Sequence, residues 1–474
     1  MSRRSFLVGS SATAVLMALP GLTAQAATES QPLRRFALRP GKASVQLVPE
    51  NYPATPVWAY NERVPGPEIR VIQGDRVRIA VENALDEETT LHWHGLRVPH
   101  DMDGVPHLTQ VPIGPDKRFV YEFDVPDAGT YWYHPHQRSF EQVGRGLYGP
   151  LIIEEREPIT VDRDVTWVLD DWRLERNAQI SNNFGNRHDM SHNGRIGNTV
   201  TVNGQVPDSF QVRQGERIRL RLINAANARI IALDFHDHQP WIVALDGQPV
   251  TPHEPANRTV VLGPAMRVDL VLDMSGDPDS RFTITDTFYK GKEYELINVV
   301  YELQPLRKNA LDSAIALPDN TLPEPRMDGI TRHQIRFNGG MMGQMMMGGG
   351  MMNGGTNMMA MMREGKMWFI NGVAASGYVM DPLVTLERDR SYLIEMINDT
   401  AFHHPIHLHG HSFRVVSRNG TSTPHQEWQD TVLMAPEEKV EIALVADNPG
   451  DWMFHCHILE HQAAGMMGII RVNA

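Results

Sequence analysis

The chain has 474 residues, 41% of them hydrophobic, with a formal net charge of −13 and one cysteine. That length suggests two to four domains. The acidic balance disfavours nucleic acid or an anionic membrane as partner, and a single cysteine excludes an intrachain disulfide.

The N-terminus reads Ser2-Arg3-Arg4-Ser5-Phe6-Leu7, then an apolar run to Leu19, then Ala24-Gln25-Ala26. Paired arginines before a modest apolar run and a small-residue cleavage pattern predict a twin-arginine export signal over 1–26 and a periplasmic location. The run is broken by Gly9, Ser10, Ser11 and Thr13 and is too short to span a bilayer, so no membrane anchor is expected after cleavage. Cleavage removes two arginines and no acid, which takes the charge from −13 to −15.

The rest reads as strands separated by Pro/Gly turns. One segment recurs three times: Gly74-Asp-Arg-Val-Arg-Ile-Ala-Val-Glu-Asn83, Gly215-Glu-Arg-Ile-Arg-Leu-Arg-Leu-Ile-Asn224 and, less regularly, Arg388-Asp-Arg-Ser-Tyr-Leu-Ile-Glu-Met-Ile-Asn398. The first two alternate apolar and polar residues as half-buried strands do. Three copies predict an all-β chain of three β-sandwich domains.

Paired histidines follow these repeats. Leu91-His92-Trp-His94-Gly95 begins just after the first copy, and Trp132-Tyr-His134-Pro-His136 lies further on. After the third copy come His404-Pro-Ile-His407-Leu-His409-Gly410 and His455-Cys456-His457. On a strand each His-x-His pair presents both imidazoles to one face, and Cys456 points to the face opposite His455 and His457. Eight paired histidines are enough for a cluster of three metals. His404, Cys456, His461 and Met466 offer the two histidines, thiolate and thioether of a blue-copper site. The second copy carries Leu233 and Phe235 where the others carry histidines, so its domain is expected to be a metal-free spacer, with His236 and His238 structural or exposed.

Between the second and third copies, residues 339–362 hold eleven methionines in 24 residues, diluted mainly by glycine. Glycine at this density disfavours a helix. Thioethers are soft ligands that select Cu(I).

Taken together, these four histidine motifs and the single cysteine make the chain resemble the multicopper oxidases, the family of laccases and bacterial copper-efflux oxidases, over most of its length. The resemblance implies cupredoxin-like Greek-key sandwiches at 27–157, 158–304 and 367–474, with a linker over 305–366. It implies four copper ions. His404, Cys456, His461 and Met466 would bind type 1 copper; His92 and His407 type 2; His94, His134, His136, His409, His455 and His457 the type 3 pair. Four one-electron oxidations of a substrate would then be coupled to reduction of O2 to two waters, in a chain expected to act as a monomer. Asp103 matches a family acid near the type 2 site, although an Asp-Gly turn explains it as well. Asp430, in Trp428-Gln-Asp430-Thr-Val, resembles a carboxylate bonded to a type 1 histidine, here His404; a strand-end aspartate is the alternative. Gln462 stands where copper-efflux oxidases commonly carry a glutamate, and Glu460 is the nearest acid. Cu(I) is the leading substrate, with phenols or other organic reductants as the laccase alternative. A non-catalytic copper store is disfavoured by the complete set of cluster ligands.

Overall fold

The computed structural model describes residues 33–340 and 364–474. The expected export signal and methionines 341–362 lie outside the described residues. No helix among the described residues is long and apolar enough to cross a membrane.

Three β-sandwiches repeat one plan. In each, the recurring segment forms the central strand of a sheet: Arg76–Glu82, Arg217–Asn224 and Ser391–Asn398. Each pairs parallel with an earlier strand, respectively Leu33–Leu38, Arg163–Trp172 and Thr331–Gly339. Each pairs antiparallel with a later one, respectively Arg118–Asp124, Arg267–Asp273 and Lys439–Val445. Most apolar residues of these strands fall into three cores, one per sandwich.

The asparagine that closes each repeat explains why the motif recurs. Asn83, Asn224 and Asn398 are all buried. Each carboxamide oxygen accepts the backbone N–H two residues on, from Leu85, Ala226 or Thr400. Each Nδ2 donates to two carbonyls that the chain reaches later: Glu87 and Ile113, Arg229 and Leu262, Phe402 and Ala435. One side chain thus holds the turn that leads towards the next strand in all three sandwiches, satisfying backbone groups that the turn would leave unpaired.

Two expectations change. The second repeat is buried along its whole length rather than half-buried. Its alternate residues are arginines facing the first sandwich: Arg219 is paired with Glu155 and Asp269, and Arg221 with Asp164 and Asp269. The linker expected over 305–366 also contains a strand of the third sandwich, Thr331–Gly339, in register with Tyr392–Asn398. It buries only Ile335, Phe337 and Asn338, too few apolar positions to advertise a core strand.

Candidate metal centre

Strand register brings the histidines together. His92 lies opposite His134 in the first sandwich, and His407 lies opposite His455 in the third. The two strand pairs face one another across the interface. His94 stacks on His407 with ring centroids 3.8 Å apart, and His92 on His409 at 4.0 Å. The Nε2 atoms of His409 and His455 are 3.2 Å apart, and those of His134 and His457 3.4 Å. With His136, which packs against His92 and His409, all eight paired histidines form one buried cluster.

The protons of these rings are mostly assigned by their outer partners. His92 Nδ1–H donates to the Asp103 carbonyl at 2.8 Å, His407 Nδ1–H to the Asp430 carbonyl at 2.9 Å, and His455 Nδ1–H to the Cys456 carbonyl at 2.9 Å. His94 is reversed: its Nε2 faces Asp430 Oδ1 at 3.2 Å and Thr431 Oγ1 at 3.1 Å. Burial first, and neighbouring imidazoles second, hold His94, His134, His136, His409, His455 and His457 well below the usual histidine range. The rings are therefore neutral and keep a lone pair each.

One ring nitrogen has no protein partner at His92 Nε2, His94 Nδ1, His136 Nε2, His407 Nε2 and His457 Nδ1. Unpaired polar atoms in a dry interior are costly, and a metal ion removes the cost. Sets of three ligand atoms lie within 4.8 Å of one another at His92/His136/His409, His92/His94/His134 and His407/His409/His455.

On the opposite face of the Gly450–Cys456 strand a second group forms. Cys456 Sγ is 3.4 Å from His404 Nδ1 and 3.7 Å from His461 Nδ1, and those two nitrogens are 3.2 Å apart. Met466 is fully buried and its carbonyl accepts the Cys456 N–H at 3.1 Å. Burial pushes the Cys456 thiol up and the His461 imidazole down to about 3, a pairing suited to a bound cation.

The acids divide. Asp103 is fully buried and touches one histidine from the first sandwich and one from the third: His409 Nδ1 donates to its Oδ2 at 2.9 Å, and its Oδ1 is 3.2 Å from His92 Nδ1. Asp430 is not beside His404 and is not exposed. It sits against His94 and His407, because the extended backbone at Trp428–Gln429 and Thr431–Met434 carries it to the cluster face of the sheet. The partner of His404 is Thr400, whose Oγ1 lies 2.8 Å from Nε2. Glu460 faces the second sandwich, where Asn227 Nδ2 donates to it at 3.1 Å, and burial pushes its carboxyl up to about 7. Gln462 faces the cluster instead, 3.5 Å from His136 Nδ1 and 3.2 Å from Ser139 Oγ. When His136 offers Nε2 to a metal, its Nδ1–H needs an acceptor. As placed, Gln462 presents Nε2 to His136 Nδ1 and accepts the Ser139 hydroxyl on Oε1; turning the amide over presents its oxygen to His136 instead.

Sequence reasoning missed several neighbours. The indole of Trp368 packs on His461, centroids 4.1 Å apart, and donates to the Met190 carbonyl. The His192 carbonyl accepts from His461 Nε2. Arg267 grips Asp430. None belongs to a motif; only the tertiary fold brings them in. In the second sandwich, His238 is buried and bonded to Tyr301, and His236 is surface-exposed.

The comparisons agree with this arrangement. Sequence models described as multicopper oxidase match residues 43–158, 163–309 and 353–474. A multicopper oxidase of Mycobacterium tuberculosis is 30% identical over 450 residues, covering 87% of this chain and 82% of the relative. A copper resistance protein A homolog of Pseudomonas syringae pv. tomato is 26% identical, covering 100% of this chain and 99% of that one. The crystal structure of a multi-copper oxidase from Pseudomonas thermotolerans superposes with a TM-score of 0.81 at 32% identity, covering 94% of this chain and all of the other. Three cupredoxin-like sandwiches, a buried histidine cluster between the first and third, and these matches lead to one conclusion: the chain belongs to the multicopper oxidase family.

Proposed function

We propose that this oxidase acts on Cu(I) in copper tolerance, in the periplasm after twin-arginine export, as a monomer. Its catalytic domains would be 27–157 and a third sandwich made of 367–474 together with the strand Thr331–Gly339, with 158–304 between them. The observation that carries the substrate reading is the methionine-rich segment. Eleven methionines in 24 residues offer soft sulfur suited to Cu(I). Gly340, near the start of this segment, packs on Trp368 and Phe402, and Trp368 covers His461. The residue that precedes these methionines thus lies beside the indole that covers one of the proposed type 1 ligands. The name of the Pseudomonas syringae relative supports the same reading.

In this reading four copper ions are held: one by His404, Cys456, His461 and Met466, one by His92 and His407, and two by His94, His134, His136, His409, His455 and His457. Bound copper supplies the one-electron steps and the O2 chemistry. The chain's own residues do the rest. Cys456 is covalently continuous with His455 and His457, a short through-bond link between the two ligand groups. Asp103 holds His409 and His92 in place, and its Oδ1, without a hydrogen bond of its own, is the atom on which a proton bound for the cluster would rest. Gln462 cannot carry one, and Glu460 faces away, so Asp103 takes the larger share of proton delivery.

Deleting 339–362 and closing the gap with a short Gly/Ser linker tests the substrate. Oxygen uptake with limiting Cu(I) should fall, turnover of a bulky phenol should rise, and the blue colour from Cys456 thiolate should persist. Unchanged Cu(I) kinetics, with phenol turnover already high in the intact chain, would replace this reading by a laccase acting on organic reductants.

A further inference from the structure

The second sandwich, expected to be a spacer, reaches into the cluster through one side chain. Arg267 is fully buried, and all five of its N–H donors are engaged. Nε donates to the Thr130 carbonyl at 3.1 Å, on the first-sandwich strand that ends at His134. One terminal nitrogen donates to Asp430 Oδ1 at 2.8 Å and to the Ala265 carbonyl at 3.3 Å. The other donates to Asp430 Oδ2 at 2.5 Å and to the Asp246 carbonyl at 2.9 Å. One guanidinium thus bonds all three sandwiches.

Asp246 completes the clamp from the same sandwich. Its Oδ1 accepts the backbone N–H of Arg267 at 3.0 Å, and its Oδ2 accepts the backbone N–H groups of Thr431 at 3.0 Å and Asp430 at 3.3 Å. Both ends of Asp430, side chain and backbone, are therefore held by the second sandwich. Asp430 in turn contacts His94 Nε2, and its carbonyl accepts from His407 Nδ1. Gly95 independently marks the space as reserved. A Cβ there would lie 2.3 Å from an Arg267 terminal nitrogen and 2.6 Å from Asp430 Oδ2, so the glycine following His94 leaves room for the ion pair.

We propose that Arg267 and Asp246 are positioning residues for the trinuclear ligand set, locking Asp430 so that His94 and His407 present Nδ1 and Nε2, respectively, to copper. The proposal rests on the reading of these histidines as copper ligands. A bidentate fork and a fixed carboxylate restrict both ring rotation and tautomer, which a lysine's single ammonium does not reproduce.

The test compares the intact chain with Arg267→Lys, Arg267→Gln and Asp246→Asn, each loaded with copper. Three readouts are taken: copper per chain, the type 2 signal by electron paramagnetic resonance, and the rate of copper loss to a chelator. Loss of such an outer partner costs about 10- to 100-fold in metal affinity. Cluster copper should therefore leave correspondingly faster in all three variants, with an altered type 2 signal, while the blue type 1 band and its potential stay as in the parent. Two outcomes overturn the proposal: variants that keep the parent's type 2 signal and copper loss, or variants that lose type 1 and cluster copper in equal proportion. Should Arg267→Gln fail to fold, Arg267→Lys and Asp246→Asn carry the same readouts. A parent chain that binds no type 2 copper at all would instead refute the ligand reading on which the proposal stands.

Discussion

Thr400 shows how a single hydroxyl can occupy a place that sequence reading gives to a carboxylate. The asparagine turn at Asn398 delivers it: Asn398 Oδ1 accepts both the Thr400 N–H and its hydroxyl, at 3.1 and 2.8 Å. That geometry leaves Oγ1 as the acceptor for His404 Nε2–H, 2.8 Å away. Thr400→Val keeps the shape and removes the acceptor. A buried imidazole N–H is then unpaired, at a cost of about 1–3 kcal/mol. The imidazole also becomes a weaker donor to copper. The type 1 potential should rise and the thermal midpoint should fall. Redox titration of the blue band checks the first, and an unchanged potential would remove Thr400 from the site. The carboxylate proposed for this role, Asp430, is legible as a functional residue from its Trp-Gln-Asp-Thr motif. Its partner was not legible, because a residue 26 positions from His404 can be placed only by knowing which sheet face it occupies.

At the scale of elements, the short turn His100–Met102 and the Asp103-Gly104 pair after it dock on the strand His92–His94. Gly104 has φ +84°, and a Cβ on it would meet the Leu91 carbonyl oxygen at 1.9 Å and His92 N at 2.9 Å. Nothing but glycine brings the Asp103 carboxylate this close to His92 and His409. Gly104→Ala must push the turn off the strand, so it should lower type 2 copper occupancy and O2 turnover while sparing the blue band. Metal analysis with absorption spectroscopy reads both; retention of all copper at parental turnover would show that the turn is dispensable. The His-x-His strands were legible because period-two spacing and metal chemistry point the same way. The strand Thr331–Gly339 was not, since polar side chains occupy most of its length and its place depends on parallel pairing to a segment some sixty residues on. The arginines of Arg217–Asn224 read as a solvent face for a related reason. Alternation shows that two faces differ; it does not show that the polar face is buried against another domain, with acids of both domains pairing its arginines.

For the whole molecule, the eight paired imidazoles and His404 and His461 are held in place by three sandwiches before any metal is considered, and that arrangement has a consequence for pH. An unfolded histidine titrates near 6.5. In the folded, copper-free chain burial holds His94, His134, His136, His404, His409, His455 and His457 well below that value, and His461 at about 3. Between those limits the unfolded chain binds more protons than the folded one. Stability is therefore fully present above about pH 6.5 and is lost as pH falls, with a slope of up to about 1.4 kcal/mol per pH unit for each such imidazole. The unfolding free energy of the copper-free chain, read from denaturant titrations, should fall by several kcal/mol between about pH 7.5 and 5.5 on that slope. Copper, binding the assembled ligands of the folded form more tightly than those of the unfolded chain, should raise the curve by mass action. A flat profile for the copper-free chain would mean that its imidazoles are already hydrated and charged, and that copper, rather than the three sandwiches, assembles the cluster.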